Sequence, residues 1–284
     1  MPGTTGLNAR SPLQAMPIVA MALVVMLLGI LLWLLHRNEV EDARLGLIKD
    51  ILWVEQNIHF HLTSGEEKLT QLAAELARGD LPEAGFEVQA QSLVSTSGDF
   101  DRILLRRADG SLAAAVPPFE AEAGTGQVGE AAPWWPTFTL AKSIGRAAWT
   151  APFSRSGRRQ VFEAHVPMYR DHRFVGMLVG VVSVDSLLSR QVPWWVAEKY
   201  KIEIIDGNGA VLGAKTNVQL AEPGPSHQVR LEPPGQGVAV VATVYAAETN
   251  LARNALASAI FGLAILALWS LWAVRRHVRR RLAA

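Results

Sequence analysis

No cysteine occurs anywhere in the 284 residues. Disulfides are thereby excluded as a source of stability, and thiolate nucleophiles and cysteine-held metals go with them. Excess charge is missing too: the formal net charge is +1, and the only basic cluster lies at the extreme C-terminus. That balance argues against nucleic acid as a partner. Catalytic signatures are equally scarce. No serine sits in a Gly-x-Ser-x-Gly pattern, and "DGNGAVLG" lacks the Lys-Ser or Lys-Thr that a phosphate-binding loop needs, so its Asn-Gly reads as a hairpin turn between β-branched runs. His59 and His61 are two apart on a helical stretch, which turns their side chains roughly 200° from each other and prevents a shared metal. No catalytic residue, metal site or cofactor emerges.

Long apolar runs, by contrast, are present twice. "PIVAMALVVMLLGILLWLL" at 17–35 and "ALASAIFGLAILALWSLWAV" at 255–274 carry no charge, and each matches the thickness of a bilayer at helical rise. The first is longer than a signal-peptide core and is followed by "HRNEVED" rather than a small-residue cleavage site. Two transmembrane helices are expected. Arg275, Arg276, Arg279, Arg280 and Arg281 follow the second run directly, and positive charge at a membrane end stays inside. Both termini, 1–16 and 275–284, are then cytoplasmic, and the lipid bilayer is a partner. The region 36–254 lies outside the cytoplasm.

Apolar residues continue at helical spacing past the first run, through Ile48, Ile51, Ile58, Leu62, Leu69, Leu72 and Leu76, until Gly79 and Pro82 stop the pattern. Intervals of three, four and seven give this long helix a coiled-coil seam with defects at Glu55 and Gly65. A homodimer paired along it is one expectation, a helix packed on its own domain the other. "TSGEEKL" also permits a break and restart there.

Beyond it the period becomes that of strands. An Asp-Gly turn at Asp109 and Gly110 separates a strand at 102–107 from one at 111–116. Residues 117–136 read as loop. Strands at 147–154, 159–170 and 173–189 complete a five-stranded antiparallel sheet. A smaller unit follows, with strand, turn and strand over 200–213 and a closing strand at 237–245. The fold class is therefore α+β, with two transmembrane helices flanking a long helix and two antiparallel-sheet units, at 36–195 and 196–254.

The long helix, "WTAPFS", "VFEAHVPMYR" and "FVGMLVGVVSVDSLL", followed by "IEIIDGNGAVL", resemble the PAS-like double Cache sensor region of bacterial membrane receptors. "DILWVEQNIHFHLTSGEEKLTQLAAELA" is similar to the first helix of proteobacterial sensor histidine kinases. The resemblance implies a two-pass protein of the bacterial inner membrane whose periplasmic region binds a small molecule in two-component signal transduction. It also implies a cytoplasmic output domain. This sequence contains no kinase core: the histidine expected on the cytoplasmic side, His277, sits among arginines with no acidic neighbour. A membrane-anchored periplasmic protein-interaction module without signalling output is the competing reading.

A ligand pocket needs an apolar or aromatic wall and a few polar groups. Around the larger sheet the candidates are Arg146, Trp149, His165, Tyr169, Arg173 and Asp185. Each has a plainer role: surface charge for Arg146, core for Trp149, surface for His165, core or turn for Tyr169, hairpin surface for Arg173, and helix N-cap for Asp185. Alternation in "VFEAHVPMY" puts Phe162, Ala164, Val166 and Met168 on one face and Val161, Glu163 and His165 on the other. The resemblance suggests a carboxylate or amino acid as ligand, for which an arginine would be the natural partner.

Overall fold

The computed structural model describes residues 12–80, 83–118, 129–155, 159–217 and 224–245, and isolated helical positions between 258 and 272. Gly46–Ala246 forms one compact unit, and residues 1–45 with 247–284 form another. Among the described residues no helix is long and apolar enough to cross a membrane. The expected span at 255–274 falls largely outside the described residues, and so do most side chains of the one at 17–35.

Helix α1 runs unbroken over Pro12–Arg78. It ends where the sequence stops favouring helix: Gly79 takes a left-handed φ of 80° and donates its N–H to the Leu76 carbonyl. The break that "TSGEEKL" permits does not occur. Gly65 has a packing reason instead, because a Cβ there would come within 3.1 Å of Asp99 and 3.3 Å of the Phe100 ring. Leu47, Ile51, Val54, Ile58, Leu62, Leu69 and Leu72 on α1 are all buried against the unit's own sheets. The seam that the sequence offers for pairing is thus occupied within the chain.

After α2 (Glu83–Ser92) and a π-helical turn come β1 (Arg102–Arg107), β2 (Leu112–Val116), α3 (Trp135–Ile144), β3 (Ala148–Trp149), β4 (Phe153–Arg155), β5 (Arg159–Arg170) and β6 (Arg173–Ser183). The strands pair as β2-β1-β6-β5-β3, with β4 also on β5, and every pairing is antiparallel. The sheet therefore has six strands rather than five, because "AAWTAPFS" bends at Thr150–Pro152 into two short pieces. The expected strand at 173–189 stops at Ser183, where α4 (Val184–Gln191) begins. α3 departs further from expectation, since the sequence reads as loop through Pro136. Pro136 lies in its first turn and Gly145, at a left-handed φ of 66°, ends it.

A short helix α5 (Trp194–Lys199) leads to the smaller sheet, β8 (Val211–Lys215), β7 (Tyr200–Ile205), β10 (Ala239–Val244) and β9 (Ser226–Arg230) in that order. Its core residues Ile202, Ile204, Val240 and Ala242 join the same cluster as α1. Tyr200 ties the sheet to that helix by donating its hydroxyl to Asp50 at 3.0 Å; burial and that carboxylate raise the phenol to about 12. At the start of α5, Trp195 packs against Trp53 of α1 with ring centroids 5.5 Å apart, whereas its neighbour Trp194 is 74% exposed.

Candidate functional site: a buried charged cluster beneath α3

Alternation gives the larger sheet two unlike faces. Phe162, Ala164, Val166 and Met168 of β5 with Leu178 and Val182 of β6 meet α1. Leu104, Val161, Met177, Val179 and Val181 face the other way, under Trp134, Phe138 and Ala141 of α3 and its approach. That second face also buries charge. Arg106 is 3% exposed, and Glu163 and His165 are fully enclosed.

Each charged group has a physical anchor. The Arg106 guanidinium lies 3.7 Å from the centre of the Trp134 ring and donates through Nη1 to the Gly110 carbonyl at 3.0 Å, while its Nε finds no acceptor among the described residues. Burial pulls its pKa down to about 10, with Glu163 opposing that shift and Arg155 adding to it. The Glu163 carboxylate accepts from Arg155 Nη1 at 2.8 Å and from His165 Nε2 at 2.9 Å. Burial alone would raise this carboxyl, but the His165 hydrogen bond and the charges of His165, Arg155 and Arg106 outweigh it and hold the group below its ordinary range. Thr150 locks the strand pair, accepting from the Glu163 N–H through its hydroxyl and donating its own N–H to the Glu163 carbonyl. The His165 ring stacks near Trp134 at 6.3 Å and meets Phe138 edge-on at 6.4 Å, and its Nδ1 has no hydrogen-bond partner among the described residues. An aromatic cover over a guanidinium with an open N–H is chemically suited to an anionic group.

Of the six residues singled out from sequence, His165 lies at the heart of this cluster, buried rather than on the surface. Tyr169 stands at its margin: the ring packs edge-on against Phe174 and the hydroxyl donates to the Lys142 carbonyl at the end of α3. Arg146 is exposed in the turn after α3. Trp149 belongs to the opposite face, half-buried against Phe162, with its indole N–H donated to Glu66 of α1 at 2.6 Å. Arg173 is exposed at the tip of the β5–β6 hairpin, paired in register with Arg170. Asp185 is exposed in the first turn of α4, one residue inside the helix; the capping position belongs to Ser183. Arg106 and Trp134 lie outside those six. Arg106 had a signal, since it falls at the same parity as the buried Leu104 and so breaks an apolar face.

On the α1 side a cleft of about 500 Å³ opens between the end of α1, α2 and the sheet, lined by Leu76, Phe86, Glu87, Leu105, Arg107 and Arg170 among others. Arg170 is committed there to the α1 terminus, donating Nε to the Ala77 carbonyl at 2.6 Å.

No family model matches the chain. It is 29% identical over 291 aligned positions, covering 100% of its length, to the C4-dicarboxylate transport sensor protein DctS of Rhodobacter capsulatus, of which it spans 41%. Among solved structures it resembles the ligand-binding domain of the Pseudomonas fluorescens chemoreceptor CtaA in complex with L-isoleucine, at TM-score 0.52 and 15% identity, over 74% of this chain and 96% of that one. It also resembles an extracellular ligand-binding receptor from Desulfohalobium retbaense at TM-score 0.53 and 11% identity, over 70% of this chain and 40% of the other. At these identities the likeness establishes the fold alone, which is that of solved ligand-binding regions of receptors.

Proposed function

We propose that this chain is the small-molecule sensing input module of a bacterial membrane receptor, and that its ligand is a small carboxylate bound between the larger sheet and α3. Runs 17–35 and 255–274 would anchor it as a two-pass protein with Gly46–Ala246 in the periplasm and an output domain on the cytoplasmic side. Two copies would associate to signal. The observation that carries the proposal is the buried Arg106 guanidinium, shielded by Trp134 and left with an open N–H. A match running the whole length of the chain to a sensor protein supports the receptor setting.

The mechanism follows from competition for one cation. An aromatic face offers a guanidinium about 0.5–2 kcal/mol, whereas a carboxylate offers paired, charge-assisted hydrogen bonds. A ligand that takes Arg106 therefore releases the Trp134 indole and shifts α3, to which that indole is joined. The same sheet runs through β6 into α4, and Lys215 of β8 holds α4 by donating to the carbonyls of Ser189 and Val192 at 3.1 and 2.6 Å. Movement at the larger sheet thus has a route to the smaller one, provided the ligand favours one of two arrangements.

A titration of the 284-residue chain with L-malate, followed by tryptophan fluorescence and by thermal unfolding, tests this. Binding gives a saturable fluorescence change and a raised melting temperature, both abolished in Arg106→Leu. Retention of both in that variant would refute the site.

A further inference from the structure

In this fold the charged cluster is shut away from solvent. Arg106, Glu163 and His165 are buried, and so are Trp134 and Phe138 that cover them. A molecule that touches the Arg106 guanidinium must wait for part of this cover to move, and three observations single out 129–145. Both ends of the segment are glycines in left-handed backbone, Gly129 at φ 102° and Gly145 at φ 66°, with nothing within 4 Å of where a Cβ would stand. Unpacked glycines absorb changes in φ and ψ without a clash, as hinges must.

The segment is also lightly held. Its backbone hydrogen bonds close on itself, among them Ala132 N–H to the Gly129 carbonyl and Gly145 N–H to the Ala141 carbonyl. Among the described residues a single hydrogen bond ties it to the sheet, from the Tyr169 hydroxyl to the Lys142 carbonyl. Side-chain packing does the rest, as where Phe138 meets Phe174 edge-on at 5.8 Å and Lys142 lies 4.9 Å above the Phe174 ring. The third observation is a point of closure. The Trp135 ring, stacked on Phe138 at 5.2 Å, lies so close over Gly110 in the β1–β2 turn that a Cβ there would stand 2.7 Å from it. The Gly110 carbonyl in turn accepts from Arg106.

We propose that 129–145 is a lid over the charged cluster, opening about Gly129 and Gly145 while the sheet stays folded, with Trp135 on Gly110 as its latch. This rests on the reading that the ligand binds beneath Trp134. Segments with few bonds to their surroundings open more often than the core strands they cover. Ligand entry then waits on the lid.

The test needs no ligand. Hydrogen exchange of the 284-residue chain should find the amides of 137–144 protected about tenfold less, or weaker still, than those of 161–168 and 177–182. Phenylglyoxal, which modifies guanidinium groups, then reads the cover itself when each arginine is followed by peptide mass spectrometry. In Trp135→Ala the labelling of Arg106 should quicken by about fivefold or more, while the exposed Arg173 and the exchange of β5 and β6 stay within about twofold of the original. Equal protection of 137–144 and the strands overturns the lid, and so does Arg106 labelling that rises only in step with exchange of β5 and β6. If Trp135→Ala does not fold, the exchange comparison on the unaltered chain decides by itself. A lid that opens in a chain indifferent to L-malate upholds this inference and removes the carboxylate reading.

Discussion

The two faces of the larger sheet are built from the same strands and do different things. Along β5, Phe162, Ala164, Val166 and Met168 close an apolar seam with α1, while Glu163 and His165, one residue out of step, hold charge under α3. Burying charge costs stability that an apolar side chain in its place would supply. The α1 face therefore carries the folding energy, and the α3 face gives up part of it to a polar arrangement, which is where the proposed ligand would bind.

Neighbouring residues on opposite faces make the sharpest contrast. Phe162→Ala empties a fully buried ring position and should cost about 3–5 kcal/mol in thermal or denaturant unfolding, equally at every pH between 4 and 8. Glu163→Ala leaves Arg155 and His165 without their shared carboxylate and should cost a similar amount, about 3–5 kcal/mol near neutrality. Its pH dependence should differ. The folded carboxyl ionises at a lower pH than in the unfolded chain, so its contribution is complete above the ordinary value of 4.5 and fades as pH falls through the folded value. The gap between wild type and Glu163→Ala should accordingly narrow in acid, whereas the Phe162→Ala gap should not; parallel behaviour would remove the distinction between the faces.

Arg106→Leu should change stability by less than about 2 kcal/mol, since an apolar side chain recovers part of what the lost cation–π contact and hydrogen bond supplied, yet it should abolish carboxylate binding. A smaller effect is expected at the margin, where Tyr169→Phe removes one exposed hydrogen bond to α3 and should cost about 0.5–1 kcal/mol. Arg173→Ala at the hairpin tip should lie within about 0.5 kcal/mol of wild type. Both can be read from the same melting curves.

Much of this contrast is legible in the chain. Period-two alternation in "VFEAHVPMY" separates the faces correctly, the Asp-Gly turn fixes β1 against β2, and the Gly79 stop matches the end of α1 at Arg78. What escapes is governed by partners distant in sequence. Trp149 reads as a pocket candidate or as core, but its indole answers to Glu66, 83 residues away on α1. His165 reads as surface or pocket wall because alternation takes it off the apolar face, whereas in the fold it is buried against Glu163, which Arg155 also pairs. The first turn of α3 hides in a stretch rich in Pro and Trp, where the punctuation of a loop and the proline-opened start of a helix look alike.

Hydrogen–deuterium exchange of the 284-residue chain, with and without saturating L-malate, tests most directly whether the α3 face is the recognising one. Ligand should slow or redistribute exchange across residues 132–144, which carry Trp134 and α3, and leave the amides around the cleft at 76–80 and 83–92 unchanged. Protection confined to those cleft segments, with 132–144 unaffected, would place the ligand on the α1 face and contradict the account.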